Sequence, residues 1–140
     1  MSRSAAYVIK AEIADSTAPI FHLAAQKTMY GGKLIAVGDT VFLFASETEG
    51  GQGLIARGVV IAAVPVAPKP GIERQTPRVT VTVRPTARAR RPLGRAALRP
   101  FDDWDDGRPE TELNFKFYRQ ATNKIGGISA NAAAFLDGFF

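Results

Sequence analysis

Gly38-Asp39-Thr40-Val41-Phe42-Leu43-Phe44-Ala45-Ser46 is followed, after one glycine-rich interruption, by Leu54-Ile55-Ala56-Arg57-Gly58-Val59-Val60-Ile61-Ala62-Ala63-Val64. Gly38-Asp39 is a turn signal, and Thr40 to Ser46 has the β-branched, aromatic and apolar composition of a strand. Glu47 to Gly53 holds three glycines among polar residues and reads as a loop. Leu54 to Val64 is a second strand, in which Gly58 signals a bulge or a close backbone approach. Two strands about a glycine-rich loop predict an antiparallel hairpin.

Upstream, Tyr7 to Ile13 carries Tyr, Val and two Ile in loose alternation and reads as a first strand. Asp15-Ser16-Thr17 offers a helix N-cap with Pro19 in the first turn. Ile20, Leu23 and Ala24 would share one helical face, and Gly31-Gly32 would stop the segment, so a helix is predicted here. Downstream, Pro65 to Pro77 holds four prolines and predicts an irregular connection. Arg78 to Arg84 alternates cleanly, with Val79, Val81 and Val83 on one face and Arg78, Thr80, Thr82 and Arg84 on the other. Leu93 to Leu98 reads as a short helix, and an acidic loop surrounds Trp104. Leu113 to Gln120, with Phe115, Phe117 and Tyr118, reads as extended. Ser129 caps a final helix through Leu136, with Gly138 as its stop and Ala132, Phe135, Leu136 and Phe139 on its buried face.

No βαβ alternation and no internal repeat runs through this order. The pattern predicts an α+β, mainly β chain: a curled sheet of mostly antiparallel strands with flanking helices. A length of 140 residues suits one domain spanning 1–140, large enough to bury its own core. The absence of cysteine removes disulfides, thiolate metal sites and a Cys nucleophile. The apolar run near the N-terminus is too short for a signal peptide, and no stretch approaches the ~20 residues that span a bilayer. The expectation is a soluble, cytoplasmic protein without a membrane partner.

The net charge of +5 is unevenly placed. Nine basic residues lie between Lys69 and Arg99, opposed only by Glu73. Asp102, Asp103, Asp105, Asp106, Glu110 and Glu112 then stand against Arg108. A basic block favours a polyanionic partner; a solvated basic loop, partly neutralised by the acidic one, is the other reading.

Motifs for catalysis or cofactor binding are missing. His22, the only histidine, has no neighbours at metal-ligand spacing. There is no G-x-S-x-G elbow and no phosphate loop of the P-loop or dinucleotide type. Gly50-Gly51-Gln52-Gly53 joins strands and opens no helix. Asp102 to Gly107 lacks the spacing and closing Glu of a calcium loop. No cofactor, metal or catalytic residue is therefore assigned. The richest constellation is Leu113 to Lys124, where aromatics alternate with amides and cations. Aromatic faces stack on bases, amides read base edges and cations hold phosphates. Phe115 and Phe117 fit a buried face, which leaves Tyr118, Arg119, Gln120, Asn123 and Lys124 as candidates. Trp104 is either an anchor for its loop or the wall of a pocket.

The hairpin motif, with Gly38-Asp39 entering one strand and Gly53 to Val60 forming the next, resembles the central hairpin of EVE and related PUA-like domains. Tyr7-Val8-Ile9-Lys10 resembles their first strand. The resemblance implies a PUA-like pseudo-barrel, shared with YTH and ASCH relatives, and an aromatic-lined pocket for a modified base. Ser46 matches the polar position at the pocket mouth and Tyr7 is a weaker match, while the family's Trp-containing pocket motif is not recognisable in sequence order.

The leading expectation is thus a nucleic-acid-binding domain, for RNA or DNA, that is not an enzyme. Arg84, Arg88, Arg90, Arg91 and Lys124 would hold phosphates. A flipped or single-stranded base would sit near Tyr7, Ser46, Trp104, Tyr118 and Asn123. The alternatives are an ASCH-type enzyme on a nucleoside or amide, pairing Lys10 or Lys33 with Glu47, and a protein-interaction module.

Overall fold

The computed structural model describes residues 4–119 and 122–140. Strands β1 (Ala6–Ala11), β2 (Phe21–Met29), β3 (Thr40–Ala45), β4 (Gly53–Pro65), β5 (Arg78–Arg88) and β6 (Lys124–Ile128) close into a barrel in the order β1-β3-β4-β5-β2-β6. Neighbours β1 and β3 run parallel, as do β2 and β6; the other pairs are antiparallel. Helices α1 (Arg95–Leu98), α2 (Pro109–Leu113) and α3 (Ala130–Asp137) lie outside it, and α2 runs on as a π-helical stretch, Asn114–Tyr118. The mainly-β pseudo-barrel read from the sequence is the observed architecture.

The β3–β4 hairpin pairs Thr40 with Val59 through to Ala45 with Gly53. Gly58 sits where the β4–β5 register shifts, and a Cβ there would come within 2.7 Å of the Arg84 carbonyl oxygen. It is both a bulge position and a close approach. Gly53 opens β4 at φ +83°, with the backbone of Leu93 pressed against it.

Alternation divides the strands between two apolar cores. Tyr7, Ile9 and Ala11 of β1 pack with Val41, Leu43, Val79, Val81 and Val83 inside the barrel. Ala6, Val8, Phe42 and Phe44 face the other way and pack under the helices against Leu98, Leu113, Phe117 and Leu136. Burying both faces of β1 and β3 explains why their sequences read as continuous apolar runs.

Two segments differ from their sequence readings. The helix expected after Asp15 is β2: Phe21 and Leu23 are buried while His22 and Ala24 are exposed, a two-residue period that serves the barrel. The strand is bulged at Ala25, held at φ +49° by its amide donating to Thr80 Oγ1 and its carbonyl accepting from Arg78 Nη1. The segment from Leu113 to Arg119 is helical where an extended chain was expected. Pro109 occupies the first turn, where it lacks no needed donor. Leu113–Phe117 and Asn114–Tyr118 then form buried pairs four residues apart, and Glu112–Lys116 forms an ion pair of 3.1 Å at the same spacing. The final helix is capped as read, with Ser129 Oγ accepting from the Ala132 amide at 3.1 Å.

Candidate nucleic-acid interface

The helical turn of α2 sends Phe115 away from the buried Phe117 and toward the acidic loop. There Trp104 meets it edge-to-face, with ring centres 5.3 Å apart. The Arg119 guanidinium lies 4.9 Å from the Phe115 ring and 5.7 Å from Trp104, a double cation–π contact. Trp104 and Phe115 line a cleft of about 250 Å3 together with Arg108, Thr111, Glu112 and Lys116. Trp104 remains 42% exposed. The Arg108 amide first, and the buried Thr111 hydroxyl facing the same carboxylate after it, hold the Asp106 carboxyl below its usual range. Burial alone would raise the Glu112 carboxyl. Donation from the Ser129 hydroxyl and amide and from Lys116 outweighs that and holds it below the usual carboxylate range.

A second polar cluster is enclosed under α2. Lys10 Nζ donates to the Phe117 carbonyl at 2.8 Å, and Lys124 Nζ donates to the Lys116 carbonyl at 2.9 Å. Burial, then the charges of Lys124 and Arg95, lower the Lys10 ammonium to about 8, against a smaller opposing pull from Glu47. Burial also lowers Lys124. Beside them, the buried Tyr118 hydroxyl faces the Glu47 carboxylate. Burial first and the facing Glu47 carboxylate second push its ionisation well above the phenol range.

The structure separates the five expected pocket residues. Trp104 lines the cleft. Ser46 is buried at the end of β3, where its Oγ shares a 2.9 Å hydrogen bond with Thr48. Tyr118 is buried under α2, edge-on to Phe44. Asn123 lines a different groove with Gln26, Lys27 and Arg78, and its Oδ1 is buried and unpartnered. Tyr7 points into the barrel core and is withdrawn as a surface contact, since no ligand reaches it there. Lys124 is withdrawn as a phosphate contact for the same reason: its ammonium is inside and committed to a carbonyl. Gln120 lies outside the described residues.

The four arginines divide as well. Arg88 holds the carbonyls of Ser16 and Ala18. Arg90 holds Phe140, and Arg91 donates to the Gly138 carbonyl at 2.8 Å while lying over Phe139. Arg84 is exposed, and nothing among the described residues bonds its guanidinium. Of the two lysines considered for catalysis, Lys10 does converge with Glu47, while Lys33 lines a cavity beneath the 65–77 loop. Phe115 and Lys116, cleft residues missed in the sequence, were concealed by reading 113–120 as extended; Thr111 lies before that segment and carried no signal of its own. The i,i+4 spacing from Glu112 to Tyr118 was the signal that could have found the other two.

No protein-family model matches the sequence, and no curated protein matches it in sequence. Solved structures do match the fold. The DUF55 domain of human thymocyte nuclear protein 1 superposes with a TM-score of 0.63 at 13% identity, covering 93% of this chain and 95% of that one. Human THYN1 protein in complex with 5-methylcytosine-containing DNA gives 0.62 at 14% identity, covering 92% and 93%. A Pseudomonas putida protein gives 0.60 at 14% identity, covering 95% and 97%. This chain has the EVE-type, PUA-like fold. Coverage is nearly complete in both directions, so the EVE-type barrel and its helical layer together account for the described chain. The Trp104 cleft lies on the helical side of this EVE-type barrel, against α2.

Proposed function

We propose that this EVE-type domain binds nucleic acid and takes one unstacked base into the cleft beside the Trp104–Phe115 pair. The carrying observation is the cleft itself: an aromatic wall formed by Trp104 and Phe115, with cations at Arg108, Lys116 and Arg119 around it. Stacking on aromatic faces contributes roughly 1–3 kcal/mol per base and needs no sequence match. The flanking cations meet the phosphates. The likeness of fold to a human protein crystallised with 5-methylcytosine-containing DNA supports a nucleic-acid partner and suggests the methylated base to try first. Arg84, whose guanidinium nothing among the described residues bonds, extends the contact to further phosphates. Asn123, with its unpartnered Oδ1, is a polar contact.

Convergence of Lys10 with Glu47 does not favour catalysis, because the Lys10 ammonium is buried and bonded to the chain's own backbone.

The test is titration of the protein with single-stranded oligonucleotides, with and without one 5-methylcytosine, at two salt concentrations. Trp104 is the only tryptophan, so its fluorescence reports the cleft directly. Saturable binding that weakens with salt and quenches Trp104 is expected. Absence of binding at both salts overturns the function. Binding with unchanged Trp104 emission overturns the cleft alone.

A further inference from the structure

The loop between β4 and β5 is a built roof, not a slack connection. Its base is tied by Val66 N to Arg78 O at 2.9 Å and by the Thr28 amide and hydroxyl to Pro77 O. Its tip is closed into a ring by one side chain: Gln75 Nε2 donates to the carbonyls of Lys69 and Ile72, and Gln75 Oε1 accepts from the Lys69 amide. Four prolines further restrict the backbone. Beneath this roof lies a cavity of about 600 Å3, within the size range of small-molecule sites.

The chemistry of its lining is one-sided. Val66, Ile72 and Val79 supply aliphatic surface, and two of them are left open, Val66 at 39% and Ile72 at 52% exposure. Lys27, Lys33, Lys69 and Arg78 supply four cations, and among the described residues no carboxylate lines the cavity to balance them. Arg78 is held in place by its Nη1 bond to the Ala25 carbonyl, which leaves the rest of its guanidinium free. No aromatic ring lines the site, so it offers nothing on which a base could stack.

We propose that this cavity is a second binding site, separate from the Trp104 cleft, for a small amphiphilic anion: an aliphatic body under the proline roof and one carboxylate or sulfonate among the four cations. Burying the open Val66 and Ile72 side chains favours the body, and uncompensated positive charge favours the head group.

The experiment is calorimetric titration of the full chain with decanoate, decyltrimethylammonium and butyrate, each below its aggregation concentration. Decanoate is expected to bind saturably at one site. Decyltrimethylammonium has the same tail and the opposite charge and should bind at least ~10-fold more weakly; butyrate has the head without the body and should do the same. Lys33→Gln should weaken decanoate several-fold. Ile72→Asp, which adds a carboxylate to an exposed loop position, should weaken it by ~10-fold or more, with thermal midpoints unchanged in both variants. Equal binding of the two ten-carbon amphiphiles overturns the proposal, as does decanoate binding that neither substitution changes. A third arm measures oligonucleotide binding to Ile72→Asp. Loss of oligonucleotide affinity together with absent decanoate binding would assign the cavity to nucleic acid and overturn the anion site; unchanged affinity supports two separate sites.

Discussion

Lys10 and Lys124 stand opposite each other across the antiparallel β1–β6 ladder, and their ammoniums donate to the successive carbonyls of Phe117 and Lys116. Those carbonyls belong to the end of the α2 helical stretch, where backbone acceptors lose their partners and the helix carries partial negative charge. Two buried cations side by side are costly, and the free carbonyls are what make them tolerable.

A pH dependence follows. The folded-state ammonium of Lys10 is lowered to about 8 from 10.5. Between those values the unfolded chain holds the proton and the folded one releases it, so stability rises with pH. The gain amounts to roughly 3 kcal/mol at most. Tyr118 acts in the opposite sense: its raised ionisation means that stability is lost as pH climbs above 10, where the unfolded phenol ionises. Urea unfolding at pH 7, 9.5 and 11 should show a maximum near the middle value. Lys10→Met should flatten the rise and keep the fall. A wild-type curve that is flat from pH 7 to 9.5 would show that the buried ammonium is not strained.

Ser129 joins two elements with one side chain. Its Oγ accepts from the Ala132 amide as the cap of α3 and donates to Glu112 on α2. Ser129→Ala removes the cap and one of the donors that hold the Glu112 carboxyl low. A loss of about 1–2 kcal/mol is expected from the cap alone. The carboxyl should titrate at higher pH in the variant, which carbon-detected NMR of the Glu112 side chain would read.

Gly53 fixes the hairpin to the segment before α1. At φ +83°, a Cβ would lie 2.2 Å from the Leu93 carbonyl oxygen, which itself accepts from the Leu54 amide at 2.8 Å. Gly53→Ala therefore combines left-handed strain with a backbone clash and should destabilise by more than ~2 kcal/mol. Gly50→Ala shares a positive φ but meets nothing within 4 Å, so its effect should be the smaller. Thermal unfolding of the two variants makes the comparison.

How much of this was legible follows from where the information sits. The β3–β4 hairpin was readable because both its strands are buried and carry their own composition. Segment β2 was not, because Ile20, Leu23 and Ala24 fit a helical stripe while Phe21 and Leu23 fit a strand face, and only the barrel decides between them. The pair Gly126-Gly127 in β6 hides a strand that lacks side chains to announce it. At the site, Trp104 was recognisable as a large aromatic in a polar loop. Its partner Phe115 was not, because alternation from Phe115 to Phe117 imitates a strand while the i,i+4 pairs beside it specify a helix. Tyr7 was misplaced because nothing local says which face of a barrel strand a residue will occupy, and Lys124 because nothing local says that α2 covers the outer face it lies on.

Trp104 and Arg119 hold the cleft without holding the fold. Trp104 is partly exposed and packs on one ring. Trp104→Ala should leave the unfolding midpoint within a few degrees while weakening oligonucleotide binding by roughly 1–3 kcal/mol. Arg119→Ala should do the same with a smaller loss. Equal affinity of wild type and Trp104→Ala in a filter-binding assay would remove the base from this cleft.

Arg84 and Arg91 separate charge that is free to bind from charge that is already used. Arg84 has no bonded partner among the described residues, whereas Arg91 donates to the Gly138 carbonyl and covers the Phe139 ring. Arg84→Ala should therefore leave stability within about 0.5 kcal/mol and reduce the slope of log K against log salt by roughly 0.7–0.9, one phosphate contact. Arg91→Ala should cost about 1 kcal/mol of stability and leave that slope unchanged. If the slope responds to Arg91 and not to Arg84, then α3 and the chain end beside it face the nucleic acid, and Arg84 does not.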